Sequence, residues 1–467
     1  MEAPATAETG WADLFADGRL PRFALVCLGV WLNAADALVT ATIMPSVGAE
    51  LGGYAYFSWA VAGFLVGAIL AGASAGRLSE IFGLRLATAF AGLVLAAGCV
   101  LSAAAPTIGI FLAGRLLQGI GCGWTAGFAM VAIAVLFPER HLARVFAAVS
   151  GVWGVATILG PLVGGLFAET GNWRSVFWLF AIQAAIFSAA TPFLLKGAVQ
   201  SQGESGIPWL QVGTLGLGVA AISLADTMGE PLTALGLVAL GLVILALVFR
   251  IDGKAKVRLL PHRAGDMRTI SGAGYAAMFA LMASSMGLTV YGPAILQTLH
   301  GLSPLFAGYV VGVQALSWTF AAVAVAGVTG IAGERRWIRI GGGCILAGVA
   351  LLAVLLHQAP LVFVILAAGT LGAGFGFSSS LMNRRILGAL SNEDRAIGAS
   401  AFIAVRQTGG AVGAAIAGAT ANLVGFGTGL TVETAQATAF WVFITALPMA
   451  LAGFLAAWRL SGSAVKA

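Results

Sequence analysis

Charge is scarce in this chain of 467 residues: Asp, Glu, Lys and Arg make up 9% of it, against 60% hydrophobic residues, and the mean hydropathy is +0.98. Soluble domains carry about 25% charged residues, so that class is excluded and an integral membrane protein is expected. Cysteine is equally sparse. Cys27, Cys99, Cys122 and Cys344 stand singly in apolar segments with no CxxC, which excludes a disulfide framework or a cysteine metal site and leaves them as packing residues. The four histidines, His141, His262, His300 and His357, are scattered over loops and helix ends, and no HExxH, GxSxG or GxxxxGK[ST] segment occurs. Neither an enzyme nor an ATP-driven pump is expected, and no metal or cofactor. The first twenty residues are polar, with Glu2, Glu8, Asp13 and Asp17, and no short apolar core with a cleavage site follows them, so no cleaved signal peptide is expected. The net charge of +6 has no separate basic domain behind it, which argues against a nucleic-acid partner.

What the chain does have is apolar runs of roughly 20 residues, each long enough to cross a bilayer. Six lie near 23–46, 55–76, 85–105, 108–137, 143–168 and 174–195. Two more, near 208–228 and 232–250, are joined by a turn at Gly229 and Pro231, and six follow near 268–298, 304–332, 337–356, 360–384, 396–423 and 437–459. The layout predicts a cytoplasmic segment 1–22, a six-helix bundle 23–199, a linker with two extra helices 200–267, a second bundle 268–459 and a tail 460–467. With both termini cytoplasmic, every Lys and Arg except Arg115, Arg174 and Arg406 falls on the cytoplasmic side, while Glu50, Glu169, Asp226, Glu230 and Glu433 fall in outer loops. That is the positive-inside pattern, and it accounts for the basic balance.

The two six-run blocks echo each other, as a parallel repeat would. LQGIGCGW at 117–124 resembles LGAGFGFS at 371–378, and GVWGVATILGPLVGG at 151–165 corresponds to RQTGGAVGAAIAG at 406–418. The 151–165 stretch carries Gly151, Gly154, Gly160, Pro161, Gly164 and Gly165, and Gly at three- and four-residue spacing gives a face that another backbone can approach closely. The same face serves tight packing or a moving interface between bundles.

One carboxylate, Asp36, lies well inside a predicted span, where an ionisable group is costly and a functional role is the default hypothesis. Asp36 lies about nine residues before Pro45 and Arg115 about nine after Pro106, which places both roughly 13 Å below the outer surface. Asn33 shares a face with Asp36, and Gln118 with Arg115. Two readings stand: a permanent ion pair that fixes helix packing, or a switch in which burial favours the proton-bound carboxyl and a nearby Arg the proton-free form. Arg406 is suited to an anionic group, to Asp36 or to backbone carbonyls. Trp124, Trp153, Tyr291, Gln314 and Trp318 are candidates for a substrate cavity or, equally, packing residues. In the loop GRLSEIFGLR at 76–85, Gly76 and Gly83 permit tight helix ends, and Glu80 can pair with Arg77 and Arg85 as a conformational latch or sit in an ordinary turn.

These motifs resemble those of the major facilitator superfamily, specifically its fourteen-helix drug:proton antiporters. The segment from Gly76 to Arg85 resembles the GxLaDrxGrk signature, with Glu80 in place of Asp and Ile81 where a basic residue is common. Arg115, Gln118 and Gly119 resemble RxxQG, whose Arg is associated in the family with proton transfer; Gly160, Pro161, Gly164 and Gly165 resemble the antiporter signature GPxxGG. Asp36 through Pro45 is similar to the acidic first-helix signature, and Arg406, Gln407, Gly409 and Gly410 to RQxGG. Residues 278–292 lack the second carboxylate of some members. The resemblance implies an all-α integral membrane protein of the major facilitator fold: two six-helix bundles plus an inserted two-helix hairpin, 14 transmembrane helices. It also implies a monomer in the inner membrane whose partners are the lipid bilayer, protons and a small-molecule substrate. No cofactor is expected beyond the proton gradient, which would drive export by alternating access with Asp36 and Arg115 coupling the proton. The alternatives are a dedicated exporter or symporter of a metabolite or lipid-like substrate, and a membrane receptor or scaffold without turnover.

Overall fold

Thirteen α-helices carry the described residues, 19–196 and 206–462, in the computed structural model. They are α1 Arg19–Leu51, α2 Phe57–Ala103, α3 Ile108–Leu136, α4 Glu139–Glu169, α5 Arg174–Leu194, α6 Trp209–Leu224, α7 Pro231–Asp252, α8 Ile270–His300, α9 Pro304–Ala324, α10 Ile331–Leu355, α11 Leu361–Gly388, α12 Asp394–Leu423 and α13 Val432–Leu460. Local chemistry sets several of the ends. Thr107, Thr269 and Thr431 cap α3, α8 and α13 through their hydroxyls, Pro231 and Pro304 start α7 and α9, and Gly301 in the left-handed region ends α8. The start of the expected linker, 200–205, and most of both terminal segments lie outside the described residues.

Twelve of these helices are long and apolar enough to cross a membrane, against the fourteen spans expected from hydropathy. Two local features account for the difference. The expected loop at 76–85 is helical except at Gly83 (φ 75°, ψ 144°), so two expected spans form one 47-residue element. The second is α12, Gly- and Ala-rich and carrying Arg406, which is absent from the twelve. A straight helix of 47 residues would be about 70 Å long, more than twice the roughly 30 Å hydrocarbon layer. Its packing on α3 shows that it is not straight. Gly119 and Gly123 of α3 abut the backbone at Phe64 and Ala68, running parallel to the first arm, whereas Gly114 and Gly121 abut Ser102 and Leu95, running antiparallel to the second. The chain therefore turns back at Gly83.

The same arrangement recurs in the C-terminal half. Gly372 and Gly376 of α11 abut the backbone of α9 at Gln314 and Trp318, and Gly374 abuts α10 at Gly341 and Ile345. The alternating glycines of the two echoing octapeptides thus do the same job: each side of one helix admits a neighbour's backbone. In this half α8 is buried along nearly its whole length, with Gly409 and Gly413 of α12 against Phe279 and Ala283, and Gly453 of α13 against Leu281.

Helices α6 and α7 form a hairpin, Gly218 against Leu245 and Gly241 against Ile222. Helix α6 packs on α2 and α12, while α7 leaves Leu232, Leu235, Val243 and Phe249 exposed, a surface fitted to lipid. Most of the basic residues gather at one end of the helices, here the basic end; the turns near Glu50, Asp226 and Glu433 form the acidic end. Arg174, the base that falls at the acidic end, is paired there with Glu50 at 2.6 Å.

The two halves meet along α4 and α9, and α2 and α12. Near the acidic end a Cβ on Gly165 would lie 2.5 Å from Leu305 Cα, and one on Gly308 would lie 3.1 Å from Pro161. Towards the basic end Gly151 and Gly154 face open space and Trp153 is 43% exposed. The α4 and α9 seam is shut at the acidic end and parted towards the basic end.

Candidate functional site

Helix α1 brings Asp36 and α3 brings Arg115 to the same depth inside the N-terminal half, and both side chains are almost completely buried. Arg115 Nη1 donates to Asp36 Oδ2 at 2.7 Å. The guanidinium also donates through Nε to the carbonyl of Ala60 at 3.3 Å and through Nη1 to Gln118 Oε1, and it lies over the Phe64 ring at 4.7 Å. Gln118 Nε2 in turn donates to Gly98 O at 3.0 Å and to Ser102 Oγ at 2.8 Å. Arg115 is therefore held directly to α1 and the first arm of α2, and through Gln118 to the second arm, so the RxxQ spacing serves to fix one guanidinium in place. Asp36 is held by less. Its Oδ2 takes the Arg, while its Oδ1, equally buried, has no hydrogen-bond partner.

This asymmetry defines what the site can do. An ionised carboxylate facing a fixed guanidinium is stabilised by charge-assisted hydrogen bonding. The open Oδ1 is an acceptor that a proton, a water or a donor on a ligand can fill, and filling it with a proton removes the charge that holds Arg115. Among the described residues no group of His, Cys, Asp and Glu is arranged to hold a metal ion.

The other candidates are not gathered around this pair. Asn33 is half-buried on α1. Trp124 donates to Ser74 Oγ at 2.8 Å and leans on Phe90, which ties α3 to the two arms of α2. Tyr291 is fully buried near the acidic end, stacked on Phe57 (6.3 Å) and edge-on to Phe426 (4.9 Å). Gln314 is buried on α9, and Trp318 one turn on stacks on Phe375 at 4.8 Å. Trp153 faces the parted seam: Thr157, one turn further along α4, has its carbonyl against Gly312 of α9. Arg406 on α12 is half-buried and has no hydrogen-bond or ion-pair partner among the described residues; Gly410, one turn on, meets Leu65 of α2, so Arg406 lies on the face of α12 towards the N-terminal half.

The glycine stretch splits its contacts. Gly160 and Gly164 pack on Leu38 and Val39 of α1 in the same half, whereas Pro161 and Gly165 meet Gly308 and Leu305 of α9 across the seam. In the bend of α2, Arg77 Nη1 lies 3.3 Å from Glu80 Oε2, Gly76 faces open space and Arg85 is exposed.

One group was missed. Asp226, expected in an outer loop, is 1% exposed and bonded to Ser58 and Asn422. Hydropathy marks the end of a run and gives no sign that a neighbouring helix covers it; the one hint is a lone acid at the end of a stretch, 209–225, that holds no charge.

Comparisons with known proteins agree with this architecture. The sequence profile of the Major Facilitator Superfamily matches residues 26–414. A probable multidrug-efflux transporter of Mycobacterium tuberculosis (strain H37Rv) is 29% identical over 469 residues, covering 97% of each chain. The multidrug transporter protein MdtP of Bacillus subtilis is 24% identical, covering 85% of this chain and 74% of its own. Among solved structures, the nucleoside transporter NupG superposes with a TM-score of 0.65 at 14% identity, covering 94% of this chain and 98% of that one. The peptide transporter POT in complex with sulfate gives 0.67 at 15% identity, with 96% coverage of both. Likeness at these identities concerns the fold.

Proposed function

Because the chain belongs to the Major Facilitator Superfamily, a family of membrane transporters and not of enzymes, we propose that it is a proton-coupled exporter of amphipathic, drug-like small molecules working by alternating access. The observation that carries this reading is the buried Asp36 and Arg115 pair with its one open carboxylate oxygen. A proton taken up at Oδ1 neutralises Asp36 and loosens its hold on Arg115; loss of the proton restores the pair. One proton crossing 100 mV provides about 2.3 kcal/mol, enough to drive a modest substrate gradient. The multidrug-efflux names of the relatives support the substrate class.

The fold reading that goes with it has fourteen crossings, in the order six, two, six. It is supported by the reversal at Gly83, which makes two rods of α2, and by α12, whose polar face is covered by α8 and α2 instead of lipid. The α6 and α7 pair is then a hairpin inserted between two six-helix bundles. Lys and Arg bias supports a cytoplasmic basic end, and the bacterial relatives support the inner membrane, so the seam described above is read as open to the cytoplasm. The transporter is read as a monomer that needs no cofactor.

A second reading, export or symport of an endogenous metabolite, is favoured by Arg406, a cation facing the opposite half without a counter-charge. Counterflow in proteoliposomes with amphipathic cations, neutral compounds and carboxylates distinguishes the two. If carboxylates exchange and Arg406→Gln lowers their exchange about tenfold while sparing cations, the metabolite reading stands, since tenfold corresponds to about 1.4 kcal/mol. Exchange confined to cationic and neutral amphipaths, unaffected by Arg406→Gln, supports drug export.

A further inference from the structure

Among the described residues three acids outside the central pair are buried, Asp226, Asp252 and Asp394. Asp252 accepts the backbone N–H groups of Leu259 and Leu260, at 2.6 and 3.0 Å, and Asp394 that of His262 at 3.2 Å, so each stitches the 253–269 link to a helix end. Asp226 has a different setting. It sits in the short turn Ala225–Thr227 between α6 and α7, and its partners come from the two halves of the molecule. Ser58 Oγ, in the first turn of α2, donates to Oδ2. Asn422 Nδ2, in the last turn of α12, donates to Oδ1 at 2.5 Å and to the Asp226 carbonyl at 2.7 Å, and it reaches the Ala55 carbonyl at 2.8 Å. The backbone of α12 closes directly on this knot: a Cβ on Gly418 would collide with Asp226 Oδ2 and Ser58 Oγ. Beside it Tyr54, Phe57, Tyr291 and Phe426 form an aromatic plug, with Phe57 and Phe426 centroids 5.2 Å apart.

Among the described residues no cation faces this acid. Helix α6, residues 57–76 of α2 and residues 407–423 of α12 hold no charged side chain, and Arg250 is at the far end of α7. Glu230 at the start of α7 and Glu433 at the start of α13 are exposed; the titratable groups nearby are the hydroxyls of Tyr54 and Tyr56, in the turn Tyr54–Tyr56, and of Tyr291. Tyr291 Oη and Asn422 Oδ1 are buried without a partner, as expected of polar groups that water reaches when the seam parts.

We propose that Asp226 is a second proton-binding site, loaded as the acidic end closes and discharged to water when that end opens. The inference rests on the alternating-access reading above. An ionised carboxylate without a cation is far better accommodated in water than in a closed, apolar seam. The carboxylic acid keeps the same contacts: its carbonyl oxygen still accepts from Asn422, and its O–H donates to Ser58 Oγ, a group able to donate or accept. Proton uptake from water and closure are therefore linked, so low pH favours the closed acidic end and high pH the open one. The inserted hairpin becomes a working part of the cycle, tying Ser58 of one half to Asn422 of the other.

The test is a distance measurement by double electron–electron resonance. Spin labels are placed at Thr170→Cys and Glu433→Cys, both exposed at the acidic end, in the full chain with its four native cysteines replaced, in nanodiscs from pH 5 to 9. The wild-type background is expected to move from a short to a long distance as pH rises. Asp226→Asn, which resembles the protonated acid, is expected to hold the short distance and to lower the open population at pH 9 about tenfold. Asn422→Ala, which removes the donor and leaves the acid, is expected to raise the open population at every pH. A pH profile unchanged by Asp226→Asn, or an open fraction unchanged by Asn422→Ala should the first variant fail to fold, overturns the site while leaving alternating access intact. A single distance at every pH in the wild-type background overturns both.

Discussion

Proteoliposomes carrying Asp36→Asn are expected to lose proton-driven substrate accumulation, about 100-fold or more, a loss typical of removing a proton-transfer group. Asn fills the same volume, and its oxygen still accepts from Arg115, so the packing around the pair is kept and unfolding is not the expected cause. What Asn lacks is the ability to take and release a proton at Oδ1, the position that has no partner in the closed network. Energetically downhill exchange of substrate, which needs rocking and no net proton movement, is expected to persist at a reduced rate. Asp36→Glu keeps the titrating group and is expected to recover part of the coupling. Full accumulation by a folded Asp36→Asn protein would reduce the pair to a packing device.

Arg115→Leu is expected to destabilise the fold by about 3–5 kcal/mol, because it leaves a buried carboxylate without its partner. The loss extends beyond one ion pair: Gln118 Oε1 loses its donor and the Ala60 carbonyl its contact. Adding Asp36→Asn to Arg115→Leu is expected to restore a large part of that stability, since removing both charges of a buried pair is often close to neutral. Thermal unfolding of the single and double variants in detergent measures the coupling, expected to be about 2 kcal/mol or more for groups in direct contact. Strictly additive losses would mean that the two side chains do not stabilise each other.

The sequence carries the pair and little of its surroundings. Asp36 and Arg115 are legible because each is an isolated charge in an apolar run at the same count of residues from a proline, so depth follows from helix rise alone. Lateral position does not follow, because rise says nothing of which neighbour a helix face meets; the 2.7 Å contact comes from α1 meeting α3 directly, as at Gly29 against Thr125, while glycines seat α3 between the two arms of α2. The echoing octapeptides are legible for the same reason as the pair, a local pattern with a local job, and α3 and α11 use their glycines alike. Aromatic residues carry less information on their own. Trp124 and Tyr291 bear the composition of a ligand wall, yet Trp124 spends its N–H on Ser74 and Tyr291 is sealed between Phe57 and Phe426. Asp226 is hidden for the opposite reason, a polar residue in an obvious turn that distant α12 happens to cover. The bend at Gly83 is visible as a loop in sequence and as a single left-handed glycine in the fold, since one positive-φ residue suffices to reverse a helix.

The direction in which protons move when substrate moves is the most direct measure of proton-coupled export. Wild-type proteoliposomes holding a pH dye, given a transported compound on one side and no initial pH difference, report it in one experiment. Antiport through Asp36 predicts that downhill substrate flow drives protons the opposite way, and that the dye signal vanishes in Asp36→Asn. Substrate flow with a silent dye, or protons travelling with the substrate, would contradict it.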